Sequence, residues 1–540
     1  MKRTRWALSW AAVCGLWLPA LDAAETVSTA VPVEAESPFE LHPAEALPES
    51  TTDLDEEFVH THAAELAELN AANPCTCPAC QDAKKAAAAK KKQEALKKAV
   101  NGAYAGVFYN NKFDYLCDPA YHDWHLGEDL KRMCVGECVV LDIGGQYRAR
   151  YHSERNMRGL GLTGVDDDFL LHRTRLYGNL EVGERWRVFV EGIYAESNFN
   201  QFAPRAIEVN RGDFLNAFVD YKVTDCIGGN DGTLTARVGR QELIYGAQRL
   251  VSPLDWANTR RNFDGMKLMY ADKDWSIDGF LTRPVVVNFN DIDSADDGQG
   301  FHGAYASYKG IKDQTIDAYY LYYNNENVPS APGTNGIHFN TVGGRWNGTQ
   351  CDWLWDLEGG YQFGNNDDAS AHNAMFAVAG IGRNIDHCWK PKVWFFYDYS
   401  TGGADQGARQ GFDHLFPLGH RYHGFMDLYA RSNIETPNLL VEAQPHEKWK
   451  VLLWYHYFML ENGGDTPYNV NMTPFNAANR PVSNDLGHEI DLTATYIISP
   501  RADLLFGYSH FFAGQYYKQT PGVPFRGDAD FFYTQFQVNF

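Results

Sequence analysis

Residues 352–364 read DWLWDLEGGYQFG. In an extended chain Trp353, Trp355, Leu357, Tyr361 and Phe363 fall on one face, and Asp352, Asp356, Glu358 and Gln362 on the other. Successive side chains of a strand point to opposite sides, so this stretch predicts a strand between two different environments. Trp449–Met459 repeats the pattern, with Trp449, Val451, Leu453, Tyr455 and Tyr457 on one side. Gly487–Ile498 sets Ile490, Leu492 and Tyr496 against Glu489, Asp491 and Thr493. A soluble sandwich would alternate in the same way, so the connections must decide.

From Val139 to Phe540 about eighteen such segments follow one another, with ends uncertain by a few residues. Their connections alternate between short (Gly183–Glu184, 271–273, Pro445–His446, Ser499–Pro500) and long (153–167, 241–262, 284–299, 401–436, 460–485, 513–528). Short turns on one rim and long loops on the other, with an even strand count, describe an outer-membrane barrel. The expected fold is therefore all-β: an 18-stranded antiparallel transmembrane β-barrel over 139–540. The last strand, DFFYTQFQVNF (530–540), ends on Phe540, with Phe532, Phe536 and Val538 on its face. A terminal aromatic of this kind resembles the signal read by the barrel assembly machinery.

Composition agrees. The chain has 540 residues, 14% of them aromatic and 48 of them glycine. Its mean hydropathy is −0.41, so the apolar residues are dispersed among polar ones. Past the N-terminus no stretch approaches the roughly 20 apolar residues of a membrane helix, which excludes a polytopic helical membrane protein. A formal charge of −22 excludes nucleic acid as a partner. Lys2, Arg3 and Arg5 before the apolar run Trp6–Leu21 predict a signal peptide over 1–23. The expected location is the outer membrane of a Gram-negative type envelope, surrounded by outer-membrane lipid, with an N-terminal extension in the periplasm.

That extension has two parts. Residues 24–81 carry acidic side chains and prolines but no Lys or Arg, and predict a linker without a core of its own. Residues 82–138 begin with DAKKAAAAKKKQEALKKAV, a Lys-rich helix that is either a solvated spacer or docked under an acidic surface. A cysteine-containing cap segment follows. Cys75, Cys77 and Cys80 form a C-x-C-x-x-C cluster that suits disulfides or free thiols, or a metal if a fourth ligand comes from elsewhere. No cofactor is expected. Asp291, Asp293, Asp296 and Asp297 are weak candidates for a hard cation such as Ca²⁺ against the simpler reading of a solvated loop.

What a barrel passes is read from its inner face. Strand parity turns Arg148, Arg150, Arg173, Arg175, Arg185, Arg187 and Arg237 inward. Guanidinium forks suit carboxylates or phosphates. Asp352, Asp356, Glu358, Asp398, Glu489 and Asp491 form a counter-charged wall on the later strands. The loop GRQELIYGAQRLVSPLDWANTRRNFDG (239–265) is too apolar for a free loop and is expected to fold inward, bringing Arg240, Arg260 and Arg261.

This segment resembles the alginate export family, whose members share a G-R-Q element, then Trp-Asn or Trp-Asp, then Arg-x-Phe-Asp. FDHLFPLGHRYHG (412–424), GHEID (487–491) and YSHFFAG (508–514) look like further segments of the same family. The resemblance implies an 18-stranded barrel that lets an anionic uronate polysaccharide pass an arginine-rich constriction, with Arg240, Arg260 and Arg261 at matching positions. The expected function is passage of an anionic polysaccharide or related polar solutes. The acidic wall keeps open a general diffusion or nutrient-uptake porin for small polar solutes. An outer-membrane enzyme or an adhesin-like anchor is the third reading, although no G-x-S-x-G element or phosphate loop is present. An open interior favours transport; a filled one favours the anchor or enzyme.

Overall fold

The structure is a computed structural model that describes residues 78–227, 231–289, 291–331, 334–365, 371–403, 411–475 and 479–540. The expected signal peptide, the expected linker up to residue 77 and the side chains of Cys75, Cys77 and Cys80 lie outside them; the linker's last residues, 78–81, instead begin a helix. Among the described residues 18 long strands run in one antiparallel sheet. They are β1 (Val139–Arg155), β2 (Asp167–Val182), β3 (Trp186–Asn198), β4 (Asn210–Thr224), β5 (Thr233–Gln241) and β6 (Phe263–Ala271). Next come β7 (Trp275–Val286), β8 (Gln299–Tyr308), β9 (Gln314–Ala331), β10 (Thr334–Gln350), β11 (Trp353–Asn365) and β12 (Ala371–Asn384). The last are β13 (Lys392–Ser400), β14 (Ile434–His446), β15 (Trp449–Met459), β16 (Asp485–Ser499), β17 (Ala502–Ala513) and β18 (Ala529–Asn539).

Each strand pairs with the next, and β1 pairs with β18, so the sheet has no open edge. At the seam Gly145 and Phe540 exchange both backbone hydrogen bonds, at 2.8 and 2.9 Å. The terminal phenylalanine thus closes the ladder as well as ending the chain. Closure removes the unpaired edge that an open sheet would present.

Parity sorts the side chains as the alternation predicts. On β11 Trp353, Leu357, Tyr361 and Phe363 are exposed on the outer surface, while Leu354, Glu358 and Gln362 are buried inside. On β18 Phe532 and Phe536 face out, and Phe531, Tyr533, Gln535 and Gln537 face in. The outer surface displays many large apolar residues; the inner face is mixed, with charged and polar side chains beside aromatic clusters.

One rim carries the short turns. Gly183 takes φ +58 in its turn, which glycine adopts without steric cost. Cys351 and Asp352 take φ +46 and +66, the paired positive angles of a tight hairpin turn. The opposite rim departs from strict alternation. β9 and β10 stay paired past two register shifts to Ala331 and Thr334, so their connection is brief where a longer loop was expected.

The helix α1 (Pro78–Asn101) covers the predicted Lys-rich run. Its described side chains are mostly exposed, with Lys92 Nζ 3.0 Å from Asp118. From Val100 onward the chain turns onto the short-turn rim. Val107, Phe108 and Tyr109 pack inside the barrel on Tyr177, Phe189 and Phe218 of β2, β3 and β4. Among the described residues Cys117, Cys134, Cys138, Cys226, Cys351 and Cys388 are exposed free thiols.

Gln146 and Asn539 face each other one residue from the hydrogen-bonded Gly145–Phe540 pair. Such a non-hydrogen-bonded pair has Cα atoms about 4.5 Å apart, within disulfide range. The double substitution Gln146→Cys/Asn539→Cys should therefore crosslink the ends of the barrel. Heated, non-reduced protein should then migrate faster than reduced protein on a denaturing gel, and unchanged mobility would contradict this seam.

Candidate functional site

Period-two geometry puts Gln146, Arg148, Arg150 and His152 of β1 on the inner face, all buried. The register then sets Arg148 opposite Arg173 and Gln146 opposite Arg175. Like charges directly across a ladder are destabilising unless a counter-group intervenes. The intervening group is the tip of the loop 242–262. Arg148 donates to the carbonyls of Asp255 (3.0 Å), Trp256 (3.1 Å) and Ala257 (3.3 Å). Arg150 donates to Trp256 O at 2.7 Å and lies 3.3 Å above the Trp256 ring. Arg173 donates to Asp255 O (2.8 Å), Ala257 O (3.1 Å) and Asp255 Oδ1 (2.9 Å).

A second layer lies toward the short-turn rim. Arg175 Nε sits 2.6 Å from Glu191, and its Nη2 3.9 Å from Glu242. Asn216 joins these two carboxylates, donating to Glu191 at 2.9 Å and Glu242 at 2.8 Å. Arg260 completes the layer by ion pairs to Glu242 and Asp255. Burial, and then the neighbouring Arg175, push the Arg260 guanidinium down to about 10, which leaves it charged at neutral pH. Arg237 grips Asp220 with two hydrogen bonds of 2.7 and 2.8 Å, and Arg187 donates to Asn179 and to Tyr109 O.

Not every expected arginine joins this cluster. Arg240 shares parity with the exposed Val238, opposite to Arg237, and lies on the outer side of the wall. There it pairs with Asp264 at 2.8 Å and Asp213 at 3.2 Å. Arg185 is an exposed turn residue. Arg261 folds inward but away from the cluster, donating to Pro417 O and lying over Phe416.

The acidic wall is likewise met by cations, two from loops and one, Arg345, from the neighbouring strand β10. Arg249 binds Asp356 and Glu358, each at 2.7 Å, and Arg345 binds Asp356 at 2.7 Å. Arg431, from the loop before β14, holds Asp398 at 2.5 Å. Glu489 and Asp491 accept from the backbone amides of Met426 and Phe425. Asp352 does not stand on this wall: its turn conformation takes it out of the strand's alternation. The expected counter-charged wall is therefore met by local partners. Arg249, Asp255 and Arg431 escaped the sequence reading because a loop side chain has no parity to betray its partner.

The four loop aspartates do not form one site. Asp293 is buried against Asn210, Asp296 takes Gln299 and Asn327, and Asp297 pairs with Arg283. Among the described residues no group of three or more His, Cys, Asp or Glu is arranged to hold a metal.

The N-terminal segment reaches the same cluster from below. Arg260 donates to Gly106 O at 2.9 Å, and Tyr109 Oη to Glu242 O at 2.7 Å. At the rim Arg501 donates to Val100 O, Tyr115 Oη and Glu128. Burial works against the Glu128 carboxylate, yet hydrogen bonds from Tyr115, the His125 amide, Tyr121 and Arg501 hold it below the usual range. The loop 242–262, the N-terminal segment and the loop before β14 all place buried side chains in the described interior.

Residues 139–525 match the alginate export family, and the chain belongs to it. No curated protein matches the chain. Similar solved structures include OccK3 (OpdO) of Pseudomonas aeruginosa, 12% identical over 74% of this chain and 96% of its own, with TM-score 0.48. OccAB1 of Acinetobacter baumannii is 11% identical over 74% and 96%, with TM-score 0.49. OccK8 (OprE) of Pseudomonas aeruginosa is 11% identical over 74% and 98%, also at 0.49. The family assignment rests on the sequence match.

Arg501→Ala removes the cation facing buried Glu128. Breaking one side of a buried pair costs on the order of 3 kcal/mol, so the segment 100–132 should open on the order of a hundredfold more often. Limited proteolysis should cut there faster while the barrel stays intact; equal cleavage rates would show that Arg501 does not hold the segment.

Proposed function

We propose that this chain is an outer-membrane channel that passes an anionic polysaccharide or a related polar solute, with the arginine cluster as its selective element. One observation carries the reading. Arg148, Arg150, Arg173, Arg175 and Arg260 converge inside the barrel, and besides the rings of Trp256 and Phe108 their partners are backbone carbonyls and a few carboxylates. A cluster with this many fixed donors suits a solute rich in carboxylates. The apolar outer surface suits lipid, and membership of the alginate export family supports the same direction of thought. The short-turn rim, where the N-terminal segment docks, then faces the periplasm.

The contacts that fill the interior are of a kind that exchanges. A guanidinium held by a neutral carbonyl gives up little when an anion replaces that carbonyl. The closed arrangement is thus consistent with a gated conduit in which the loop tip and the N-terminal segment withdraw. The carboxylates Asp356, Glu358, Asp398, Glu489 and Asp491, with their own loop partners, keep binding weak enough for release, as conduction requires.

The filled interior favours a second reading, a closed barrel that anchors or adheres without conducting. Conductance separates the two. In planar bilayers the purified protein should open intermittently and prefer anions, and uronate oligomers should reduce the current. Arg148→Ala/Arg173→Ala should lower the anion preference severalfold at low salt, with the difference shrinking as salt screens the field. A protein that never conducts supports the anchor; a double variant with unchanged selectivity removes the arginines from the selective element.

A further inference from the structure

The tip of the 242–262 loop presents an unusual set of groups to the arginines. Over three residues, Asp255 to Ala257, it offers one carboxylate and three carbonyls. Asp255 Oδ1 lies 2.9 Å from Arg173 Nη2 and 3.8 Å from Arg175 Nη1, and it is ion-paired with Arg260. The Asp255 carbonyl serves Arg148 and Arg173, the Trp256 carbonyl Arg148 and Arg150, and the Ala257 carbonyl Arg148 and Arg173. An acidic sugar residue offers the same groups: one carboxylate flanked by neutral oxygens.

We infer that Asp255 is an internal ligand of the arginine site, one that a carboxylate-bearing saccharide displaces when it enters the barrel. This rests on the channel reading and adds to it the means by which the solute releases the loop. The exchange is close to balanced in charge, because one carboxylate leaves the arginines as another arrives. It favours the solute where a chain of carboxylates also replaces the neutral carbonyls at Arg148 and Arg150, since charge-assisted hydrogen bonds are roughly twice as strong as neutral ones.

The backbone around the tip is held in an uncommon conformation. Leu254 and Arg260, on either side of it, hold φ of +51 and +61. Side chains other than glycine rarely adopt this region, and such residues persist only where the surroundings fix them. Here the fixing groups are the arginines together with apolar neighbours: Leu254 and Ala257 pack with Ile207 and Leu418, and Trp256 with Phe531 and Tyr533. When a solute takes those donors, the tip loses its polar anchors and keeps only the apolar ones, so it opens more often. Arg260 carries the change further, since it also donates to Gly106 O of the N-terminal segment. Displacing the tip therefore loosens the contact that joins loop and segment.

The test uses the full-length protein in detergent micelles, with hexagalacturonate as probe and maltohexaose as the neutral control of equal length. Asp255→Asn keeps the shape and the backbone carbonyls but removes the competing charge. Calorimetric titration should show hexagalacturonate binding at least tenfold more tightly to this variant than to the wild type, with maltohexaose binding to neither. If Asp255 is only a strut, the variant melts at a lower temperature while its affinity is unchanged or weaker, and the inference is overturned. Hydrogen exchange on the wild type gives an independent measure should the variant fail to fold. Hexagalacturonate should speed exchange across residues 250–259, and unchanged or slower exchange there overturns the inference. Binding is read without transport, so the two readings fail separately. A variant that binds more tightly in a barrel that never conducts removes the channel. A conducting barrel with no gain in affinity removes only the role of Asp255.

Discussion

Eighteen strands that close on themselves leave the polar half of every strand with no solvent outside to face. The partners of those side chains must come from within. Arg148, Arg150, Arg173 and Arg175 are buried charges, and a buried charge without a partner is among the costliest features a fold can carry. That constraint decides where the rest of the chain goes. The loop 242–262 turns inward because its carbonyls and Asp255 meet the arginines of β1 and β2. The loop before β14 turns inward because Arg431 meets Asp398.

The two sides of the interior are settled differently. On the later strands the loops are also held by apolar packing: Phe425, Met426, Leu428 and Tyr429 lie in one cluster with Trp454, Phe458 and Phe511. Hydrophobic burial of this extent fixes the loop to the wall. Around the arginines hydrogen bonds and ion pairs, whose net contribution is modest because water or another polar group can replace either partner, are added to the burial of Trp256, which belongs to the same cluster.

The N-terminal segment extends the same logic to the short-turn rim. Lys131 donates to the carbonyls of Gly127 and Ile143 and lies near the rings of Tyr104, Phe113 and Tyr177. Tyr109 stands edge-on to Phe189 and Phe218, between aromatic packing and the Arg237 guanidinium. Glu242 touches both layers: its carboxylate binds Arg260 and Asn216, and its carbonyl accepts from Tyr109. Loop and segment therefore meet through Arg260 and Glu242.

The strands themselves were written in the sequence, because period-two alternation is a local property that needs no knowledge of distant residues. It gave the count, the parity of Arg148, Arg173 and Glu358, and the outward belt of Trp353, Leu357 and Phe536. Arg240 was legible by the same rule, since it shares the parity of Val238. Asp352 was not, because two consecutive positive φ angles at Cys351 and Asp352 take the turn out of the alternation. Loops and the N-terminal segment carry no period, so Asp255, Arg249, Arg431 and Glu128 could be paired only by tertiary structure. Apart from Arg260 beside Asp255, their partners lie tens to hundreds of residues away, and only closure of the barrel brings those charges together.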